Sequence, residues 1–209
     1  MERIKGGFGE DMTKRMADGG RAQVVATARK LFQERGFHQT AMAELSERAG
    51  ISVGQIYRLF ANKSEMIAAI IEDDTEAQIA SMAEIRSAVA EGRMSAQEGF
   101  RTIAFDTLTA GEEALTFEIL AEGFRNPAIG EGIGVFCDRY RAKLRDLIVS
   151  TNANITGDRL AAAEEMLLAI LFGLGNRSLS KPQLSAEDTA NYAAAMIVGM
   201  LTASCAKAD

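Results

Sequence analysis

An all-α fold is what this 209-residue chain predicts, and three observations carry the prediction. Only two prolines interrupt it and tryptophan is absent. Alanine, leucine, methionine and glutamate are abundant, and these side chains lose little rotamer freedom in a helix. No stretch alternates apolar and polar residues with the period of a strand, and no internal repeat of fixed length occurs. With 47% hydrophobic and 25% charged residues, the chain is long enough to bury a substantial core.

The elements follow from the punctuation. Gly6, Gly7, Gly9, Gly19 and Gly20 oppose regular structure near the start, so residues 1–18 are expected to form a flexible arm. From Arg21 the pattern changes to Val24, Ala28, Leu31 and Phe32, the stripe of an amphipathic helix that Gly36 then stops. Thr40 precedes Met42, Leu45 and Ala49 and is placed to cap a short second helix ending at Gly50. Ser52 caps a third, Val53 to Phe60. A longer fourth helix opens at Lys63, with Asn62 as its cap, and runs toward Ala90 before Gly92. The later helices read as Ser95–Thr109, Glu112–Arg125, Ala128–Thr151, Asp158–Leu179 and Ser185–Ala206, separated by Gly111, Pro127, Gly157 and Pro182. The count is about nine. The run Thr189–Ala206 carries no charge over 18 residues, but Asn191, Thr202 and Ser204 within it favour a buried helix over a membrane span.

Composition removes several kinds of chemistry. The single histidine, His38, is too few for a di-iron bundle built on Glu-x-x-His pairs and argues against a Ser-His or Cys-His relay. Cys137 and Cys205 lie far apart and outside any C-x-x-C spacing, so a zinc site and a disulfide framework are both unexpected, and both thiols are expected to be reduced and inert. No metal and no cofactor is predicted, and no enzymatic activity. The first residues, MERIKGGFGE, lack the apolar core of a signal peptide, so export is not expected and a cytoplasmic location is. The chain carries a net charge of −6, unevenly divided. Residues 1–66 hold 11 Lys and Arg against 8 Asp and Glu, while the remainder holds 12 against 21. Polyanions respond to the local field, so a basic N-terminal third on an acidic protein suits a phosphate backbone.

Residues 40–63 contain the one strong motif. Two short helices meet at Gly50, whose freedom from a Cβ permits a left-handed turn, and Leu45, Ala49, Ile51, Ile56 and Leu59 occupy the inward positions. Spacing alone fits an ordinary αα-hairpin as well as a helix-turn-helix. The polar face favours the second reading. Gln55 and Arg58 are the residue types that read adenine and guanine edges, and Tyr57 and Lys63 are suited to phosphates. For Arg58 alone a solvated surface arginine remains an equal alternative.

The run LFQERGFHQTAMAELSERAGISVGQIYRLFANKSEM resembles the N-terminal DNA-binding domain of TetR/AcrR-type transcriptional regulators. The resemblance rests on Leu31-Phe32, Gly36-Phe37, Thr40, Ala49-Gly50-Ile51-Ser52, Gly54, Tyr57, Phe60 and Lys63, and it covers about a third of the chain. Ser46 stands where alanine is common, a mild departure that keeps the site small. The resemblance implies a three-helix DNA-binding head over residues 19–66, a larger helical ligand-binding and dimerisation domain over residues 67–209, and a homodimer joined through the last two helices. It implies further that Thr40, Ser52, Tyr57 and Lys63 contact or orient toward phosphate, while Gln55 and Arg58 lie on the recognition helix. The function so implied is a ligand-responsive regulator, a repressor that leaves a palindromic double-stranded operator when a small, mostly apolar effector binds. A helical dimeric adaptor reusing the fold without operator binding is the alternative, and the operator, effector and regulated genes are not written in these residues.

The rest of the chain is read against that expectation. Leu160, Ala163, Leu167, Ile170, Leu171 and Leu174 form one face of the eighth helix, and Tyr192, Ala195, Met196, Gly199, Met200 and Ala203 one of the ninth; together they are candidates for a four-helix dimer interface. Phe100, Ile103, Phe117, Leu120, Phe124, Phe136 and Tyr140 are the candidate effector-binding residues, although helical apolar stripes more often form plain core. Glu118 and Glu122 stand four apart and repel on a helix unless a cation, from arginine neighbours or from a ligand, lies between them. Lys14 and Arg15 in the arm are candidates for an added DNA contact, a silent extension being the favoured case.

Overall fold

The computed structural model describes residues 7–111 and 113–203, with side chains from Gly19 onward, and all regular structure among them is helical. The helices are α1 (Gly7–Arg35), α2 (Met42–Ala49), α3 (Val53–Leu59), α4 (Lys63–Ala90), α5 (Ala96–Thr109), α6 (Glu113–Arg125), α7 (Pro127–Thr151), α8 (Gly157–Gly175) and α9 (Ala186–Thr202), with a single 3-10 turn at Ser178–Ser180. Number and order agree with the sequence reading. One end differs. The backbone of residues 7–18, expected as a flexible arm, is the first part of α1. Elongating an existing helix adds a hydrogen bond for each residue fixed, which offsets Gly19 and Gly20 at about 1 kcal/mol each relative to alanine. Residues 1–6 of the expected arm lie outside the described residues, as do Glu112, Cys205 and the expected end of α9.

Caps explain where the helices begin and end. Ser52, Ser95 and Ser185 each accept a hydrogen bond from the backbone N–H three residues on, opening α3, α5 and α9. Gln55 and Glu98 reciprocate by accepting from the cap residue's own N–H, a capping box at each of those two sites. Asn62 Oδ1 accepts from Glu65 N at 3.1 Å before α4, as expected. Gly50 closes α2 with φ at +62°, the left-handed turn that the motif requires. Thr40 does not cap α2: the N-cap is Ala41 without a side-chain bond, and the Thr40 hydroxyl, buried at 3% exposure, donates to Gly36 O at 2.9 Å.

The chain divides into two compact units, one from Met1–Asp73 with Ala114–Ile133, the other from Asp74–Glu113 with Gly134–Asp209. In the first, Val24, Ala28, Leu31 and Phe32 of α1 are all buried, meeting Leu45 of α2, Ile56 of α3, Met66, Ile67 and Ile70 of α4, Leu115 of α6 and Ile129 of α7. The glycines of the α6–α7 corner make a close approach: a Cβ on Gly130 meets the Gly123 carbonyl oxygen at 2.8 Å. In the second unit, Phe100 and Ile103 of α5, Tyr140, Leu144, Leu147 and Ile148 of α7, Leu167 and Leu171 of α8, and Ala194, Ile197 and Leu201 of α9 share a core. Buried Glu164 on α8 accepts two hydrogen bonds from the Arg145 guanidinium on α7, so a charge inside this unit is answered by a forked partner.

Candidate nucleic-acid interface

The geometry of α2 and α3 separates an inward row from an outward one. Leu45, Ala49 and Ile56 are at most 1% exposed and pin both helices to α1. Gln23 on α1 adds a bond to Ala49 O at 2.7 Å, and Ser46 donates to Ile51 O at 2.8 Å across the turn. The small side chain at position 46 is thereby given a structural use. Because Ile56 points inward, its neighbours on α3 point out. Ser52, Val53, Gly54, Gln55, Tyr57 and Arg58 are all exposed, with Tyr57 at 51%. Arg21 of α1 lies over the Phe60 ring at 5.0 Å and fixes the end of α3.

The six residues named from the sequence fall into three groups. Tyr57 and Arg58 stand free on the outer face of α3. Ser52 and Gln55 also lie on that face, but each holds the other: Ser52 N and Oγ donate to Gln55 Oε1 at 3.2 and 2.9 Å, and Gln55 N donates to Ser52 Oγ at 3.3 Å. Thr40 and Lys63 face inward. The Lys63 ammonium donates to Phe37 O at 2.7 Å, Thr40 O at 3.1 Å and His38 O at 3.3 Å and sits 4.9 Å from the centre of the Phe37 ring. Burial pulls this ammonium below the ordinary lysine range, with the charge of Glu122 opposing the shift. Val53, at 37% exposure on the first turn of α3, is a further surface residue that the sequence reading passed over; its place directly after the Ser52 cap is the signal that marks it.

The turn between α1 and α2 is held from α6 as well. Gly36 adopts φ +82°, and Phe37 N donates to Glu118 Oε2 at 3.0 Å. His38 Nε2 lies 2.7 Å from Glu122 Oε1, which also accepts from Arg125 at 2.9 Å. Glu122 is 6% exposed. Its burial would lift the carboxyl, but Arg125 and His38 outweigh that and hold it below the ordinary carboxylate range. Glu118 and Glu122 are therefore answered within the chain, by a backbone N–H, an imidazole and a guanidinium. Nothing in the sequence links His38 to a carboxylate 84 positions away, so this clamp was not legible there.

The candidate effector residues are not all brought together. Phe100, Ile103 and Tyr140 are buried in the second unit with Phe136 packed against them, the Phe136 and Tyr140 rings stacked at 5.6 Å. Burial pushes the Tyr140 hydroxyl up to about 12. Phe117, Leu120 and Phe124 belong to α6 in the first unit, and Phe124 is 93% exposed. The reason is helical phase: Leu115 and Ile119 take the core face of α6, which turns Phe117 and Phe124 outward. Cys137 is free and half-buried, and burial raises its thiol.

On α8, Ala163, Leu167 and Leu171 of the expected interface face are buried in their own chain, and Leu160, Ile170 and Leu174 are half-buried. The outer face carries Ala162, Met166, Ala169, Phe172 and Gly173 instead. On α9, Tyr192, Ala195, Met196, Gly199 and Ala203 of the expected face are exposed, while Met200 packs against the chain's own core. No described helix is long and apolar enough to cross a membrane, and no cluster of metal-ligating side chains occurs among the described residues.

Residues 24–70 match the sequence profile of the bacterial regulatory proteins of the tetR family. The HTH-type transcriptional regulator UidR of Escherichia coli K12 is 31% identical over 196 residues, covering 88% of this chain and 94% of that protein. Among solved structures, Salmonella enterica GusR is similar with a TM-score of 0.68 and 24% identity, over 88% of this chain and 96% of that one. The transcriptional regulator FadR from Bacillus subtilis, solved in complex with stearoyl-CoA, has a TM-score of 0.67 and 16% identity, over 86% and 98% of the two chains.

Proposed function

Because the chain belongs to the TetR family of bacterial transcriptional regulators, a ligand-responsive DNA-binding group, we propose that it is a cytoplasmic repressor that occupies a palindromic operator and releases it when a small, mostly apolar effector binds. The observation that carries this reading is the outer face of α3, where a capped helix seated by a fully buried Ile56 presents Tyr57 and Arg58 to solvent. We assign DNA binding to residues 19–66, with Tyr57 and Ser52 on phosphates and Arg58 and Gln55 on base edges. Gln55 reaches a base by exchanging its bond to Ser52 for one to the base edge.

Residues 67–209 carry effector binding and dimerisation in this reading. Phe100, Ile103, Phe136 and Tyr140 supply an apolar, aromatic lining, and Phe117, Leu120 and Phe124 of α6 remain candidates from a separate surface. The outer faces of α8 and α9 join two copies in a homodimer, because two heads about 34–36 Å apart or a multiple of it combine their half-site energies. The effector lowers operator affinity by preferring the arrangement in which the heads are mis-spaced, and DNA lowers effector affinity by the same factor. Catalysis by Glu118 and Glu122 as an acid and base pair is disfavoured, since their bonds to Phe37, His38 and Arg125 leave neither poised for a substrate.

The test is binding to duplexes tiling the protein's own upstream DNA at several salt concentrations, with wild type compared against a Tyr57→Ala, Arg58→Ala double variant. The expected outcome is tight binding centred on a palindrome, falling with salt and lost in the variant. Weak binding that is equal in the two proteins overturns it.

A further inference from the structure

We propose that Val53 is a specificity residue for the operator, its side chain packing on the C5 methyl of one thymine in each half-site. Of the large apolar side chains in residues 19–66, only Val53 and Tyr57 are exposed, and both stand on α3. Tyr57 carries a hydroxyl that suits a phosphate. Val53, at 37% exposure, is hydrocarbon alone. It sits on the first turn of the helix that the operator reading assigns to the DNA, and the early residues of such a helix are the ones that reach base edges. The inference rests on that reading and adds a base identity to it.

The surroundings of Val53 narrow what it can meet. Ser52, Val53, Gly54 and Gln55 carry no charge, and the basic residue of α3 is Arg58 in its last turn. Val53 offers nothing to a phosphate oxygen, and a base donor or acceptor pressed against it would give up water without a replacement bond. The apolar group that the major groove does present is the thymine methyl. Gly54, the next residue, is helical, with open space where a Cβ would stand. Helix propensity opposes glycine there and packing within the chain does not ask for it. Its missing side chain leaves the backbone beside Val53 free to come close to DNA. Branching at Cβ restricts the Val53 rotamer, so an ordered contact sacrifices little side-chain entropy.

The test uses the operator duplex located by tiling the upstream DNA. Each thymine is replaced in turn by deoxyuridine, which lacks only the C5 methyl, at symmetric positions in both half-sites, and affinity is measured for wild type and Val53→Ala. Burying one methyl is worth about fourfold in affinity. Wild type is therefore expected to lose about fourfold per half-site at one symmetric pair of positions. Val53→Ala is expected to bind the unmodified operator more weakly, to be indifferent to uracil at that pair, and to respond as wild type does everywhere else. Its salt slope should match that of wild type, because no charge is removed.

A purely structural role for Val53 gives a different pattern. If the substitution merely loosens α3, every duplex is bound more weakly by the same factor and the uracil losses keep their size at every position, which overturns the inference. A uracil loss that persists in Val53→Ala overturns it too, since another side chain then reads that methyl. In both cases wild type still binds its palindrome, and the operator reading stands. If wild type binds no duplex of the tiling, the operator reading falls and the base contact falls with it.

Discussion

Glu122 shows how much of the head's stability depends on one buried carboxylate. Burial acts to raise its pKa, but Arg125 and His38 leave it depressed in the folded protein. A depressed carboxylate stabilises the fold above its unfolded pKa, about 4.3, and that contribution disappears as pH falls through the lower folded value. The unfolding temperature of wild type is therefore expected to fall more steeply between about pH 5 and about pH 3 than that of Glu122→Gln. At neutral pH the same substitution is expected to cost about 1–2 kcal/mol, held down because the His38 and Arg125 side chains are 67% and 64% exposed. Circular dichroism melts of both proteins across that range check this, and parallel pH profiles would remove the clamp from the stability account. The sequence had raised the Glu118 and Glu122 pair as a repulsion needing a cation. The arginine partner was legible in the spacing, Arg125 lying three residues from Glu122 on the same helix; His38 and the Phe37 N–H were not, because they depend on a tertiary contact between α6 and the 36–40 turn.

At the scale of elements the sequence was most informative where local chemistry decides the outcome. Ser52, Asn62 and Gly50 punctuate the helices as their side chains dictate, whereas Thr40 does not, because burial gave its hydroxyl to Gly36 O. Two matched pairs follow. Ser52→Ala and Ser95→Ala each remove an N-cap and are each expected to lose about 1 kcal/mol of stability; only Ser52→Ala is expected to weaken operator binding, since α5 makes no part of the proposed interface. Melts with operator titrations distinguish them. The second pair lies on α7. Alanine usually stabilises a helix interior by up to about 1 kcal/mol over glycine, and Gly132→Ala should do so, with nothing within 4 Å of its new Cβ. Gly130→Ala should have the opposite sign, destabilising by about 1–3 kcal/mol, because its Cβ meets the Gly123 carbonyl oxygen and neither backbone has room to give. Helix propensity treats the two glycines alike, so only the packing of α6 on α7 tells them apart. Unfolding midpoints of opposite sign relative to wild type are the expected result.

For the whole molecule, the class of fold and the order of helices were legible because hydrophobic period and glycine and proline punctuation act locally, residue by residue. The choice between inner and outer faces was less so. An alanine- and methionine-rich helix offers two apolar sides, and which side the chain buries depends on partners elsewhere, so the α8 face built on Ala163, Leu167 and Leu171 proved to be core while Met166 and Phe172 remain at the surface. With Tyr192 and Met196 of α9, 64% and 71% exposed, these make a surface of large apolar groups that is costly to leave in water. A two-fold interface brings the same patch of each copy together, so a charge introduced near its centre meets its own image. Tyr192→Glu with Met196→Glu is expected to convert the proposed homodimer to a monomer while leaving helicity and unfolding of the isolated chain little changed, because both positions are exposed within it. Losing the partner also removes the second head's effective concentration, so operator affinity is expected to fall by about 10²-fold or more, and the salt slope to drop toward half as one set of phosphate contacts disappears. Sedimentation equilibrium and operator titration read these effects separately. A variant that keeps a dimer's mass would place the interface on another face, and one that becomes monomeric yet holds its operator as tightly as wild type would show that a single head suffices.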